Sequence, residues 1–314
     1  MRIVSLLPST TEIVAALGKA DQLVGCSHEC NYPQEITELP ACTEPKFQPD
    51  GSSYQIDQRV KALLQEGLSV YRVDEEKLKS LKPDIILTQD HCEVCAASLD
   101  DVENAVRQTL GDHVTVVSVS PTDLGSVVQS IRTIADAIDA EKEAEQLMAK
   151  MKSRLQEIQN QTIDLTPPDV LSIEWMAPLM TAGNWIPELV QIAGGISVAA
   201  ETGAHSPEIP WRKVQQLNPD IITIIPCGYS IEQTLSEIST LTSLEGWDQL
   251  RAIKNKQVYI ADGDHYFNRP GPRLVNSARI LAEIIHPSLF RKENHPEWIN
   301  LATYQFQQTI SSLG

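Results

Sequence analysis

"LKPDIIL" at residues 81–87 returns as "LNPDIIT" at residues 217–223, and this pair of heptads decides the fold. In each copy a leucine closes a short helical stretch, a proline stops it, and Asp-Ile-Ile opens a run that reads as a buried strand. A second pair supports the first: "TEIVAALG" at 11–18 is echoed by "PELVQIAGG" at 187–195. Repetition of this kind predicts two lobes of one plan. The spacing differs between them. Sixty-nine positions separate Glu12 from Leu81 but 29 separate Glu188 from Leu217, so the first lobe carries about 40 extra residues, mostly within 26–71. Extra loops at a lobe edge are where ligand specificity tends to sit.

Outward from these heptads, Arg2 to Leu6 alternates like a strand and Pro8-Ser9-Thr10-Thr11-Glu12 supplies a helix start, with Ser9 as its expected N-cap and Gly18 as its stop. Further strands are expected at 24–26, 84–89, 114–119, 170–173 and 258–261, with helices at 57–66, 78–81 and 100–110 and a long loop over 33–54. Strands alternating with helices predict parallel α/β sheets. One helix is expected over 122–138 and a second, capped by Asp139, over 140–161. In the second, Ala144, Leu147, Met148, Met151, Leu155 and Ile158 form one apolar stripe. Such a helix packs equally well inside one large domain; the repeat on either side favours a connector. The expected architecture is therefore two Rossmann-like lobes, 1–121 and 167–314, joined through 122–166 by a single long α-helix.

Composition excludes several classes. A formal net charge of −17 over 314 residues argues against a nucleic acid or anionic membrane partner, because either favours a basic face. No run approaches the roughly 18 apolar residues of a membrane span. The apolar run at residues 3–7 is too short for a signal h-region, which leads to the expectation of a cytoplasmic, monomeric chain, or a periplasmic one if a leader was removed. The six cysteines, at 26, 30, 42, 92, 95 and 227, read as thiols or ligands more than as a disulfide framework. No Gly-x-Ser-x-Gly, phosphate loop or paired-carboxylate pattern suggests an enzyme. Cys92 beside His91 is the one nucleophile candidate, and neighbouring residues after a strand point in different directions.

The stretches "VSLLPSTTEIVAALG" (4–18), "VGCSHECNYP" (24–33), "LKPDIIL", "PELVQIAGG", "IPWRKVQQLNPDII" (209–222) and "DHYFNRPGPRLV" (264–275) run in order along nearly the whole chain. Together they resemble the class III periplasmic binding proteins that feed metal-chelate ABC importers, and among these the cobalamin-binding branch. The resemblance implies a non-catalytic protein that holds cobalamin or a related corrinoid in a cleft between its lobes, with an ABC importer as candidate partner. It also implies a cleft position for His265, Tyr266 and Phe267. The chain departs from the pattern at two places. Glu29, flanked by His28 and Cys30, stands where an aromatic is usual, and "QDHCEVC" (89–95) where a tryptophan is common.

Ligands of open α/β sheets sit beyond the carboxyl ends of the strands, which is where His91, Cys92 and Cys95 fall. The two cysteines could pack as small apolar residues, form a thioredoxin-like redox pair, or bind zinc together with His91 and with Cys30, Cys26 or His28 of the neighbouring loop. They could also contact the central metal of a bound chelate together with His28 and Glu29, since imidazole and thiolate suit borderline metals. Trp175, Trp185 and Trp211 are candidates for burying a flat ligand, although a single Trp is more often core. Tyr54, inside the extra stretch of the first lobe, is a further candidate. Arg269 could bond an amide or carboxylate, and Ser9 and Thr10 could present the first helix N-terminus to a polar ligand edge.

Overall fold

The computed structural model describes residues 1–66, 68, 70–89, 102, 103, 106, 113–290 and 297–311. The chain divides into two compact units. The first comprises Met1–Gly51, Gln55–Met151 and Pro270–Pro272, the second Ser52–Tyr54, Lys152–Arg269 and Arg273–Gly314.

In the first unit, strands β1 (Ile3–Ser5), β2 (Leu23–Cys26), β5 (Ile85–Gln89) and β6 (Thr115–Val119) form a parallel sheet in the order β2-β1-β5-β6. Ile3, Val4 and Ser5 pair with Ile85, Ile86 and Leu87. Beside it, β3 (Thr43–Pro45), inside the stretch expected to be loop, pairs with β4 (Tyr71–Val73) in an antiparallel ribbon. Val4, Leu6, Cys42, Leu78, Ile86 and Val114 are packed in one core cluster, against which Tyr71 and Val73 lie. The central strands are covered on both faces, which explains why their sequences are unbroken apolar runs.

Helix α1 (Pro8–Ala16) begins differently from expectation. Leu7 is the N-cap, with extended backbone and no side-chain cap bond, and Pro8 opens the helix. Proline is suited to that position because its fixed φ is already helical and its missing N–H would have been an orphan. Ser9 is therefore inside the helix and buried. The stop at Gly18 is as expected: its φ of +72° lies where a side chain would be strained. Helices α2 (Ser53–Gln65) and α3 (Glu75–Leu81) follow.

Helix α4 (Leu124–Ala137) starts with a capping box between Asp123 and Ser126, and α5 (Glu141–Thr162) is the long helix of the sequence reading. Asp139 does not cap α5 as expected. It adopts a left-handed conformation, φ +53°, and Ala140 N–H donates to Ala135 O at 2.9 Å, so it closes α4 in a Schellman turn. The division between the units falls inside α5, after Met151.

In the second unit, β7 (Asp169–Trp175), β10 (Ile221–Ile224) and β11 (Val258–Ala261) are parallel, as is the short β9 (Ile196–Ser197) against β7. Strands β8 (Met180–Thr181) and β12 (Trp298–Asn300) add antiparallel edges, which the sequence reading did not anticipate. Helices α6 (Ile186–Ile192), α7 (Trp211–Leu217), α8 (Ile231–Ser236), α9 (Ser239–Thr242), α10 (Arg251–Lys254), α11 (Leu274–Ile285) and α12 (Leu301–Ser311) complete the unit.

The repeated heptads have one structural role. Lys82 and Asn218 end α3 and α7 in left-handed conformations, φ 46° and 45°. Asp84 and Asp220 then reach the chain at the start of the neighbouring strand. Asp84 N–H donates to Arg2 O (2.8 Å) while its carboxylate accepts the Arg2 N–H (2.7 Å). Asp220 N–H donates to Asp169 O (2.9 Å) while its carboxylate accepts the Asp169 N–H (3.0 Å). Each aspartate thus fixes the register of the two central strands of its sheet.

Candidate functional site

At the carboxyl ends of β1 and β2, hydroxyls and a thiol form a closed network. Ser5 Oγ and Thr10 Oγ1 are 2.6 Å apart, Thr11 Oγ1 donates to Ser5 Oγ at 2.7 Å, and Thr11 Oγ1 lies 3.2 Å from Cys30 Sγ. Ser9 and Thr10, expected to meet a ligand, are both buried. Thr10 is tied to the strand end, and its hydroxyl also donates to Leu7 O. Cys30, expected as a metal ligand, is buried at 8% exposure. Its hydrogen bond with the Cys26 thiol and its burial push its pKa far up, whereas the same bond pulls that of Cys26 down. Burial likewise raises the Cys42 thiol to about 11.

The loop that follows β2 carries His28 and Glu29. Glu29 Oε1 accepts the Tyr71 hydroxyl at 2.7 Å, and the His28 and Tyr71 rings lie 5.0 Å apart. Thr43 Oγ1 donates its single proton to Ser27 Oγ at 3.0 Å. It therefore acts as acceptor for both the His28 N–H (3.2 Å) and His28 Nδ1 (2.8 Å). This assigns the ring proton to Nδ1 and leaves Nε2 with a lone pair. His28 as a residue is exposed, yet burial of its inner edge keeps its pKa below the ordinary imidazole value, a shift that Glu44 partly offsets. A neutral ring anchored through one nitrogen and offering the other is the form in which histidine binds a metal. Sequence reasoning missed Thr43 and Tyr71. The signal for them was their place in the 40-residue addition, but only the β3–β4 pairing brings them to this loop.

His91, Cys92 and Cys95 lie outside the described residues. Among the described residues, no group of three or more His, Cys, Asp or Glu is arranged to hold a metal ion.

In the second unit, Trp175 belongs to the end of β7 and is half-buried. Its indole N–H lies 3.1 Å from Ala177 O and 3.2 Å from Ser53 O, and its ring meets Tyr229 edge-on at 5.3 Å. Tyr229 donates to Glu237 (3.0 Å), whose other oxygen accepts the Ser53 N–H (2.8 Å). Tyr54, next in sequence, is 58% exposed. The loop after β10 is joined to the turn Gly263–Phe267, since Tyr229 O accepts the N–H groups of both Gly263 and Asp264 at 3.1 Å. A Cβ at Gly263 would come within 2.0 Å of Pro226 O, so glycine alone permits that approach.

That turn presents a compact charged set. Asp262 accepts the His265 N–H through Oδ1 and His265 Nδ1 through Oδ2, each at 2.9 Å. The Asp262 hydrogen bond lifts the His265 pKa above its ordinary value despite partial burial. Arg269 is buried at 5% exposure and pairs with Asp264 at 2.6 Å. Tyr266 lies under the Arg273 guanidinium at 5.4 Å, and burial, with Glu297 nearby, pushes its phenol up to about 12. Phe267 is fully buried, and its carbonyl accepts the indole N–H of the buried Trp185 at 2.8 Å. Trp211 stacks on Trp247 at 6.0 Å and donates to Glu245 O. The structure thus gathers Trp175 and the His265 turn around Tyr229 and gathers His28, Glu29 and Tyr71 in the first unit, while Trp185 and Phe267 are buried and Trp211 is partly exposed against Trp247.

Known proteins resemble this chain over most of its length. An uncharacterized ABC transporter substrate-binding lipoprotein, YvrC of Bacillus subtilis, is 28% identical over 299 residues, covering 93% of this chain and 82% of that protein. The vitamin B12-binding protein of Vibrio cholerae serotype O1 is 22% identical over 278 residues, 88% of this chain and 86% of the relative. The periplasmic heme-binding protein RhuT from Roseiflexus sp. RS-1, solved in apo form, superposes with a TM-score of 0.68 at 21% identity, covering 92% and 98% of the two chains. These relatives are named for transport and ligand binding, and the lipoprotein among them lends no support to a cytoplasmic location. The sequence profile described as periplasmic binding protein matches residues 3–265, and with the two α/β units above it establishes that the chain belongs to the periplasmic binding protein family.

Proposed function

We propose that this chain is the substrate-binding component of an ABC importer, acting outside the cytoplasm as a monomer, and that its cargo is a metal chelate of the corrinoid class such as cobalamin. The observation that carries the cargo class is the hydrogen bonding of His28. Thr43 holds Nδ1–H and leaves Nε2 free to meet the central metal of a chelate. On this reading Glu29 and Tyr71, hydrogen-bonded to each other beside His28, bond polar groups at the cargo edge. The names of the lipoprotein and B12-binding relatives support the importer role and the corrinoid.

The test is an absorbance titration of hydroxocobalamin, whose cobalt carries an exchangeable ligand, repeated with His28→Ala. A saturable shift at one equivalent, lost or altered in the variant, is the expected result. A shift given by hemin but not by the corrinoid would move the cargo to porphyrins, a second reading favoured by the same nitrogen and by the heme-binding structural relative. Silence with both would sink the chelate reading. Stoichiometric zinc in the purified protein, lost in the Cys92→Ser, Cys95→Ser double variant, would then favour a metal-ion site instead.

A further inference from the structure

The dipeptide Asp-Gly occurs twice in the chain, at 50–51 and at 262–263, and the fold treats the two copies in opposite ways. At the second copy the groups are held. The Asp262 carboxylate accepts the His265 N–H and His265 Nδ1, each at 2.9 Å, and the Gly263 N–H donates to Tyr229 O at 3.1 Å. Gly263 is itself buried and packed against Pro226 O. At the first copy the carboxylate stands in solvent. The Asp50 side chain is 83% exposed, and Arg59 Nη1, 3.7 Å from its Oδ1, is beyond hydrogen-bond range of it. Arg59 donates instead to Gln48 O at 2.8 Å and to Asp50 O, so it ties the main chain of this turn and leaves the Asp50 side chain to rotate. Gly51 follows with φ +109°, a backbone that glycine adopts without strain, and brings no Cβ to crowd its own amide nitrogen.

We propose that Asp50-Gly51 is a site of spontaneous covalent modification, isomerising to isoaspartate through a succinimide, while the fold keeps Asp262-Gly263 unreacted. The Gly51 nitrogen attacks Cγ of the neutral Asp50 carboxyl. The N–Cγ bond closes a five-membered ring, the carboxyl C–O bond breaks, and the hydroxyl leaves with the amide proton as water. Water then adds to the ring carbonyl that had been the Asp50 main-chain carbonyl and breaks its bond to nitrogen. The main chain now runs through Cβ and Cγ, and the former main-chain carbonyl has become a free carboxylate. One water is lost and one regained, so the mass is unchanged and no oxidant or enzyme is required. Ring closure at Asp50 gives up the bond from one partly exposed guanidinium; at Asp262 it has to break three bonds inside a buried turn. The added methylene falls between the Gln48 anchor and Ser53, the first residue of α2. The site stands on these two environments and is independent of which cargo the protein carries.

Trypsin separates the two copies for the test. Residues 47–59 form one peptide and residues 257–273 another, because the Arg269-Pro270 bond resists cleavage. Folded protein is kept for weeks at mildly acidic pH, where an ordinary carboxyl is partly protonated, then digested and compared with fresh protein. The expected result is a second chromatographic form of 47–59 at the same mass, whose electron-transfer fragments put isoaspartate at residue 50 and not at Asp57, while 257–273 stays a single form. In urea both peptides split, since the bonds that protect Asp262 are gone. Asp50→Glu abolishes the second form of 47–59, because the larger ring closes far more slowly. A single form of 47–59 from aged folded protein, isomerisation at Asp57 instead, equal splitting of 257–273 in the folded protein, or a 257–273 that stays single in urea would each overturn the proposal. All four are read on wild-type protein, whether or not the variant folds.

Discussion

The two copies of the Leu-x-Pro-Asp-Ile-Ile heptad do the same work with different support. In each, a left-handed residue ends a helix and an aspartate clamps a backbone amide at the start of the adjacent strand. In the second copy the clamp is reinforced. Arg251 donates to Asp220 at 2.6 Å, and the left-handed residue is Asn218, whose side-chain oxygen accepts the Arg251 N–H at 2.8 Å. In the first copy Lys82 occupies the left-handed position, which costs a side chain with a Cβ and few local bonds more than it costs asparagine. A shared motif thus specifies geometry, while the neighbours it happens to meet set the strength.

The largest test of that comparison removes each aspartate. Asp220→Ala should lower unfolding free energy by about 2 kcal/mol and Asp84→Ala by about 1 kcal/mol, because the first strips a carboxylate bonded to a backbone amide and a guanidinium. Urea unfolding of the two variants gives the ordering, and equal losses would mean that Arg251 adds nothing. The pH response should differ in the same sense. Burial tends to raise the Asp220 pKa, but the Arg251 and Asp169 hydrogen bonds win and hold it below the usual carboxylate value. A depressed folded pKa contributes stability that is present above the unfolded value, about 3.9, and is lost as pH falls through the folded one. Acid unfolding of Asp220→Asn should therefore be flatter than wild type below about pH 4; an unchanged profile would remove Asp220 from the acid response. The smallest effect is a gain. Lys82→Gly should stabilise by about 0.5 kcal/mol through relief of the left-handed backbone, while Asn218→Lys should lose a similar amount. A loss for Lys82→Gly would show that the lysine side chain makes up the strain elsewhere.

The His265 turn in the second unit extends the test to neutral pH. A histidine whose folded pKa is raised stabilises fully below about 6.5 and loses that contribution as pH climbs through the folded value. Asp262→Asn should erase this slope in a thermal-melt series from pH 5 to 9, and a slope that survives would assign it to another group.

Much of the architecture was readable because parallel strands buried on both faces announce themselves as apolar runs, and the Val258–Ala261 strand has the expected bounds. The antiparallel edges were not. A two-residue strand such as Met180–Thr181 carries no periodic signal. The N-cap at Leu7 was misread because Ser9 fits the capping pattern better, and Pro8 overrides it by opening the helix two residues earlier. Histidine 28 could be picked out from its neighbours in "CSHEC", but its tautomer could not. That depends on Thr43, 15 residues away in sequence and brought alongside by tertiary pairing.

The inner-edge burial of His28 has a consequence for where the protein can operate. Metal coordination competes with protonation for the same lone pair, and a solvent-exposed imidazole begins to lose that competition in mildly acidic surroundings. Because the folded loop disfavours the imidazolium, the nitrogen stays available at acidities where a free histidine would already be charged. On the proposed reading, the shell around one side chain keeps the His28 nitrogen able to meet a metal in mildly acidic surroundings.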